Sequence, residues 1–467
     1  MKQTITFVLL MLICFCGYAQ SIGPALEKEM GQRKDDEKIR VFVIMKQQYD
    51  REQLCRRADY YTTRAERREF VVNELKQFAD ASQYDIRKSL AEMEKNDMVT
   101  EPRILWMANA IYFSATKQAI FDLAKRKDVD IIGFDDEVNM IPDGEESKPA
   151  PLTRDISITP NVTQVNADQV WDLGYTGQGV VVALIDTGVN YDHLDLKDHL
   201  WDGGEEFPHH GWDVGDEDND PMDYNSHGTH CAGTLCGDGA GGRQTGMAPD
   251  VTIMCVKLTE GGAITCPQAK LCDGIQWAVE HGCDLFSLSF GFHSSAEEKI
   301  LLRNACDAAL DAGVIGSVSA GNEGNKLDAY PIPTNVCFPG GCPPPYMDPV
   351  QQANSGGLSC VVCVGNVYYN DNGVVISPSS SIGPVEWTDT DYGDYPYTPE
   401  STTEFGLIRP DVCAPGTDII SADYSNTSGY TTKTGTSMAA PCVAGCMALM
   451  LSKNPELTPA DICRILE

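Results

Sequence analysis

Four short stretches carry side chains able to do chemistry. Asp186 closes the apolar run Val180-Val181-Val182-Ala183-Leu184-Ile185 and is followed by Thr187-Gly188. A carboxylate at the end of an apolar strand is costly unless it has partners. His227-Gly228-Thr229-His230 opens a small-residue stretch, and Ser319-Ala320-Gly321-Asn322-Glu323-Gly324 closes another apolar run. Gly435-Thr436-Ser437-Met438-Ala439-Ala440-Pro441 opens an apolar helix that runs to about Leu451. A serine hydroxyl is a weak nucleophile at neutral pH and works only beside a base, and a helix N-terminus favours negative charge nearby. Each stretch also has a plainer reading. Ser437 suits a helix N-cap. Two histidines can share a cation, although their spacing is three residues rather than four and no Glu lies between them. Spacing alone does not say which histidine is the base.

These residues need elements to hold them. Continuous apolar runs at Val180 to Ile185, Val251 to Leu258, Asp284 to Phe290, Val314 to Ser319 and Cys360 to Val364 read as strands buried on both faces. Helical patterns lie between them, notably Gln268 to His281 and Ala296 to Ala312. Such alternation predicts an α/β fold, a doubly wound, mostly parallel sheet with helices on both faces. Ligands then bind beyond the C-terminal strand ends, and two of the four stretches, at Asp186 and Ser319, stand at such ends, as does Ser289-Phe290-Gly291.

The chain has 467 residues, 42% hydrophobic and 22% charged, an ordinary globular composition. Lys and Arg number 35 against 68 Asp and Glu, a net charge of −33. That excess disfavours a nucleic-acid partner, which needs a basic footprint. Ile5 to Tyr18, preceded by Lys2, has the length of a signal-peptide core and is short for a membrane span. Cleavage is expected after Ala19, an uncleaved anchor being the alternative, so the mature chain is expected to be secreted or extracytoplasmic, with no membrane span after signal removal. Residues 21–150 carry 22 basic and 26 acidic groups, whereas residues 151–467 carry 12 and 42. This shift divides the chain at the polar, Pro-containing junction Asp143 to Pro151. The first unit, 20–150, reads as a small α+β domain. It has strands at Ile39–Ile44, Ile104–Ala115 and Asp130–Phe134, one long helix from Arg64 to Asn96 and a short one at Lys117–Lys127. The second unit is 151–467.

Asp186-Thr187-Gly188, His227-Gly228-Thr229-His230, Ser319-Ala320-Gly321-Asn322 and Gly435 to Pro441 together resemble, in order, the four signature blocks of subtilisin-like serine proteases, the subtilases. The likeness covers most of Pro160 to Glu467. It implies Ser437 as nucleophile, His227 as general base and then acid, and Asp186 as the group that orients the imidazole. It implies Asn322 and the Ser437 backbone N–H as donors to the oxyanion. Polypeptide substrates are implied, bound along Ser289-Phe290-Gly291 on one wall and Ser319-Ala320-Gly321 on the other. The first unit resembles the family's propeptides, which assist folding and act as intramolecular inhibitors, so a zymogen is expected, cut near residues 143–155. The rival readings are a binding protein that keeps the cleft without turnover and an exopeptidase with one cleft end blocked.

No cofactor is expected for the chemistry. A structural calcium is expected in the acidic loop Asp213-Val214-Gly215-Asp216-Glu217-Asp218-Asn219-Asp220, with Asp213, Asp216 and Asp218 as ligands; a solvated acidic loop is the alternative. Of 18 cysteines, two leave with the leader, one lies in the first unit and 15 in the second, an odd number. Cys231, Cys255, Cys360, Cys442 and Cys446 sit where small apolar residues would pack, and Cys337 with Cys342 is the expected disulfide. The long, Pro-rich stretch Asn325 to Gln352 departs from compact relatives. The closing segments usual in the family do not follow the final helix, so a truncated gene product, a fragment or a shortened variant is expected.

Overall fold

The computed structural model describes residues 21–139, 148–149, 157–345, 358–371 and 373–466. The leader at 1–19 and most of the junction at 143–151 lie outside the described residues. The first unit is an antiparallel four-stranded sheet of β1 (Ile39–Met45), β2 (Val99–Leu105), β3 (Ala110–Ala115) and β4 (Val129–Phe134), in the order β2-β3-β1-β4. The strand expected over Ile104–Ala115 is instead the end of a hairpin. Trp106 to Asn109 form its turn, with Asn109 at φ 42°, a left-handed conformation that Asn tolerates. The long helix is two, α1 (Arg64–Ser82) and α2 (Tyr84–Lys95). They break at Gln83, which is fully buried and donates to Asn109 Oδ1 at 2.8 Å. A 3.6-residue apolar period cannot register such a buried polar tether.

Alternation along β1 explains how this unit sits. Val41, Val43 and Met45 face a core shared with α2 and with α3 (Lys117–Ala124). Phe42 and Ile44 point the other way, into one continuous core with Ala183, Phe286 and the helices of the second unit. The sheet is thus buried on both faces, and one of those faces is supplied by the rest of the chain.

The second unit is built on an eight-stranded sheet. Its strands are β5 (Val181–Asp186), β6 (Gly211–Asp213), β7 (Thr252–Lys257), β8 (Leu285–Leu288), β9 (Ile315–Ser319), β10 (Val361–Asn370), β11 (Gly373–Ile376) and β12 (Val412–Pro415). The order is β11-β10-β9-β8-β5-β7-β6, with β12 also on β10. All pairings are parallel except β10 with β11. Val182 and Leu184 face α4 (His227–Cys236) and α7 (Thr436–Lys453). Ala183 and Ile185 face α5 (Gln268–Glu280) and α6 (Ala296–Asp311). This is the doubly wound arrangement the alternation predicts. Asp186 continues the even-numbered face, so it is aimed at the layer that holds α4 and α7.

Candidate active site

Helix α4 begins against the end of β5. Gly228 comes so close to the Asp186-Thr187-Gly188 turn that a Cβ there would lie 2.0 Å from the Gly188 carbonyl oxygen and 3.1 Å from Asp186 Oδ1. Only glycine permits this approach, and it brings His227 Nδ1 to 2.7 Å from Asp186 Oδ1. Asp186 is fully buried, His227 is nearly so, and the Thr187 N–H also donates to Asp186 Oδ1 at 2.8 Å. The second histidine, His230, lies one turn on, with Nε2 3.0 Å from the Ile419 carbonyl. Of the two rings, His227 is therefore the one that meets Asp186.

One carboxylate essential to this geometry escaped the sequence reading. Asp223 accepts from Thr187 Oγ1 at 3.1 Å, Ser226 N at 3.0 Å, Thr229 N at 2.9 Å and Thr229 Oγ1 at 2.6 Å. It thereby satisfies donors in the first turn of α4 and ties them to the residue beside Asp186. Burial pushes its pKa up, and the Thr229, Ser226 and Asn225 hydrogen bonds pull it back. An Asp four residues before a histidine block was the available signal.

Ser437 sits in the first turn of α7. Pro441, four residues on, has no N–H, so the helix itself cannot satisfy the Ser437 carbonyl. Ser289 Oγ donates to that carbonyl at 2.8 Å and Cys231 Sγ at 3.4 Å. Ser437 Oγ in turn donates to the Ser289 carbonyl at 3.1 Å. Two hydrogen bonds thus run between Ser437 and Ser289, one in each direction. Cys231 also lies 3.8 Å from His227 Nδ1. Burial pushes its thiol up to about 11, against the pull of His227, so it is a neutral packing group.

Asn322 accepts from Thr436 N at 3.0 Å and from Thr436 Oγ1 at 3.2 Å through Oδ1. A backbone N–H can be met only by the amide oxygen, so Nδ2 is turned toward Gly435, where a Cβ would stand 3.2 Å away. Phe290 is buried with its ring centroid 6.0 Å from that of His227. Ser319 Oγ donates to the Phe290 carbonyl at 3.5 Å, Ala320 accepts from Cys337 N at 2.9 Å, and Gly321 N donates to Thr436 Oγ1 at 3.3 Å. Gly291 is buried beside them. The residues expected to form two walls are therefore joined to each other and to α7.

The acidic loop does not fit calcium as expected. Lys257, fully buried at the end of β7, places its ammonium 2.6 Å from Asp213 Oδ2 and 3.1 Å from Asp216 Oδ2. Burial opposes that charge, but the two carboxylates hold the Lys257 pKa above its ordinary value. Asp218 exchanges backbone hydrogen bonds with Asp213 and accepts from Asp220 N at 2.9 Å. The repulsion that called for a metal is relieved by a lysine hidden in an apolar run. The disulfide is also corrected: Cys337 and Cys342 are both free thiols, as are all sixteen described cysteines. Cys342 meets Cys306, while Cys337 meets His293 and Glu323.

Residues 177–467 match the model of the subtilase family. Serine protease AprX of Bacillus subtilis (strain 168) is 30% identical over 317 residues, covering 62% of this chain and 61% of that protein. Subtilisin DY of Bacillus licheniformis is 32% identical over 299 residues, 64% of this chain and 86% of that protein. Minor extracellular protease Vpr of Bacillus subtilis (strain 168) is 27% identical over 404 residues, 64% of this chain and 49% of that protein. The chain thus spans less than two thirds of AprX and about half of Vpr. Among the described residues, no helix is long and apolar enough to cross a membrane.

Proposed function

The chain belongs to the subtilase family, and from that premise we propose that it is a secreted serine endopeptidase, made as a zymogen, that hydrolyses polypeptides through an acyl-enzyme. The observation that carries this reading is the buried 2.7 Å contact between Asp186 and His227, linked to the first turn of the helix that bears Ser437 by Cys231 Sγ, 3.8 Å from His227 Nδ1 and 3.4 Å from the Ser437 carbonyl. With Nδ1 held by Asp186, Nε2 is the nitrogen that exchanges protons. The Ser437 hydroxyl turns from the Ser289 carbonyl to His227, gives up its proton and attacks the substrate carbonyl carbon. Negative charge builds on the carbonyl oxygen, where Asn322 Nδ2 and the Ser437 N–H stabilise it. His227 then protonates the leaving amine, and water releases the acyl group by the same steps. No cofactor takes part.

The zymogen reading rests on the chain's path. Glu137–Asn139 pairs antiparallel with Thr265–Pro267, and Lys148–Pro149 pairs with Thr431–Thr432, four residues before Thr436. The first unit is thereby stitched to both sides of the second by added strands. Secretion is supported by the leader-like segment 5–18 and by the extracellular relative Vpr.

A fluorophosphonate probe should label the protein, and casein should be degraded. Ser437→Ala should abolish labelling and lower kcat by about 10⁶-fold, a magnitude borrowed from subtilisin itself. The same variant should leave the junction near 143–155 uncut. Undiminished casein degradation by Ser437→Ala would overturn the assignment.

A further inference from the structure

A second set of ligand-type side chains converges away from Asp186, His227 and Ser437. Cys337, His293 and Glu323 bring Sγ, an imidazole nitrogen and a carboxylate oxygen within 4.8 Å of one another. Cys337 Sγ lies 3.7 Å from His293 Nε2 and 3.5 Å from Glu323 Oε2. Zinc holds sulfur at about 2.3 Å and nitrogen or oxygen at about 2.0 Å in a tetrahedron, which sets the sulfur-to-nitrogen and sulfur-to-oxygen edges near ~3.5 Å. The protein already has these edges to within a few tenths of an ångström. We propose that Cys337, His293 and Glu323 form a three-ligand site for a thiophilic divalent cation, zinc foremost, with a fourth position open to water.

The surroundings do not suit a reactive thiol. Burial, with the Glu323 charge beside it, holds the Cys337 thiol well above its ordinary range. A nucleophilic cysteine needs the reverse environment. A coordinating thiol would give up its proton in the field of the bound dication. The ligands are also held by their neighbours, as metal ligands commonly are. Glu323 Oε2 accepts from Ser381 Oγ at 3.2 Å. The His293 ring stacks on Tyr330 at 4.0 Å and 9°, and hydrogen-bonds to the Thr334 backbone. Lys326 approaches the other Glu323 oxygen only at 3.8 Å. Glu323 and Cys337 are buried but His293 is exposed, beside a pocket of about 290 Å³, which provides an entry path.

The site also has a position in the cleft. His293 follows Phe292, which exchanges backbone hydrogen bonds of 2.9 and 2.8 Å with Phe338. Glu323 follows Asn322, and Cys337 N donates to the Ala320 carbonyl at 2.9 Å. At Gly321 a Cβ would meet Glu323 Oε2 at 2.7 Å and Cys337 Sγ at 2.8 Å, so that turn is shaped around the cluster. One ion would clamp the Ser289–Gly291 wall, the Ser319–Asn322 wall and the inserted loop together. If the peptidase reading holds, occupancy would set the shape of the pocket between those walls.

The test is cobalt titration of the chelator-treated full chain. One equivalent should bind, with thiolate-to-cobalt charge transfer in the near ultraviolet and the visible bands of four-coordinate cobalt, and one equivalent of zinc should bleach both. Cys337→Ser should remove the charge-transfer band. His293→Ala, at an exposed position, should weaken binding by more than ~100-fold, since loss of even a supporting contact costs about 10- to 100-fold; it carries the test if the cysteine variant does not fold. Cys231 lies near Asp186 and His227, another group with metal-ligand chemistry, so Cys231→Ser must leave the bands unchanged. No charge-transfer band, a band that survives Cys337→Ser, or one lost in Cys231→Ser would each overturn the proposal. None of these readouts uses peptidase activity, so they stand or fall apart from the role of Ser437.

Discussion

Helices α4 and α7 cover one face of the eight-stranded sheet, and α5 and α6 cover the other. The first face is assembled from small residues and short, buried hydrogen bonds. Every residue of α4 is buried, and α7 packs through Ala439, Ala440, Cys442, Ala444 and Ala448. Backbone carbonyls there are met by side chains, as Ser437 is by Ser289, and as Ala440 is by Ser317 Oγ at 2.7 Å. The second face joins a basic surface to an acidic one. Arg51 reaches Asp311 at 2.6 Å, Arg64 reaches Asp284 at 3.2 Å, and Tyr112 Oη donates to Asp273 at 2.9 Å. One face holds the reactive groups through short, local contacts, and the other holds the first unit, which the proposed function makes a separable partner. Perturbations of the first should therefore be few, local and severe, and those of the second graded and sensitive to pH and salt.

The largest effect expected after loss of the nucleophile is at Asn322. Asn322→Ala should lower kcat about 100- to 1,000-fold with little change in KM, the loss typical of one oxyanion donor. Steady-state kinetics on a peptide substrate measure it. An equal fall in binding would mean that Asn322 acts by holding Thr436 rather than by meeting charge in the transition state.

The docking face should answer to pH. Burial pushes Asp135 of the first unit and Asp273 of the second up to about 6. Asp135 accepts the Ala269 N–H at 3.0 Å, and Asp273 accepts Tyr112 Oη, so both environments exist only in the docked state. A carboxyl with a raised pKa binds its proton more tightly when docked. That contribution is full below about pH 4 and is lost as pH rises through about 6. Each group should weaken docking roughly 10-fold between pH 5 and pH 8, or about 100-fold for the pair. Gel filtration of the cleaved protein across this range should show the first unit retained at acid pH and released at mild alkaline pH. Release at acid pH instead would break the contrast between the faces.

What could be read from the amino acids follows the same division. The strands of the large sheet announce themselves as unbroken apolar runs, and Asp186, His227, Asn322 and Ser437 stand at motif positions that few other constraints produce. Lys257 is the counterexample. It lies inside such a run, and only the packing of β6 beside β7 reveals that its ammonium serves Asp213 and Asp216. Asp223 and the Cys337, His293 and Glu323 group were hidden for a related reason. Their partners lie up to 58 residues away and share no periodicity with them. Gln83 split one expected helix because a buried amide's partner, Asn109, lies across a hairpin. Local pattern reports what a segment buries, whereas these features depend on what a distant segment brings.

Ser289→Ala should have a smaller effect than Asn322→Ala, and it separates positioning from chemistry. It removes the hydroxyl that meets the Ser437 carbonyl while keeping the carbonyl that Ser437 Oγ meets. A buried acceptor deprived of its partner costs about 1–3 kcal/mol, part of it taken up by Cys231. The thermal midpoint should fall, and kcat/KM should drop roughly 10-fold. A Ser289→Thr variant keeps the hydroxyl and should recover most of both. Pro441→Ala in the Ser289→Ala background restores an N–H to the helix, and its recovery of stability would show that the missing i to i−4 bond is the cause.

The smallest effect expected is on the docking face at Lys76. Its ammonium pairs with Glu280, and both side chains are about one-third exposed. It also lies 5.7 Å from the Trp106 ring. An exposed pair of this kind contributes about 0–1 kcal/mol, so Lys76→Ala should weaken retention of the cleaved first unit less than ~5-fold at low salt and hardly at all at high salt. The measurement is the same gel filtration, repeated at two ionic strengths. A loss as large as that at Asn322 would mean that the docking face, too, depends on single contacts, and the distinction between a face that positions atoms and a face that holds a partner would fail.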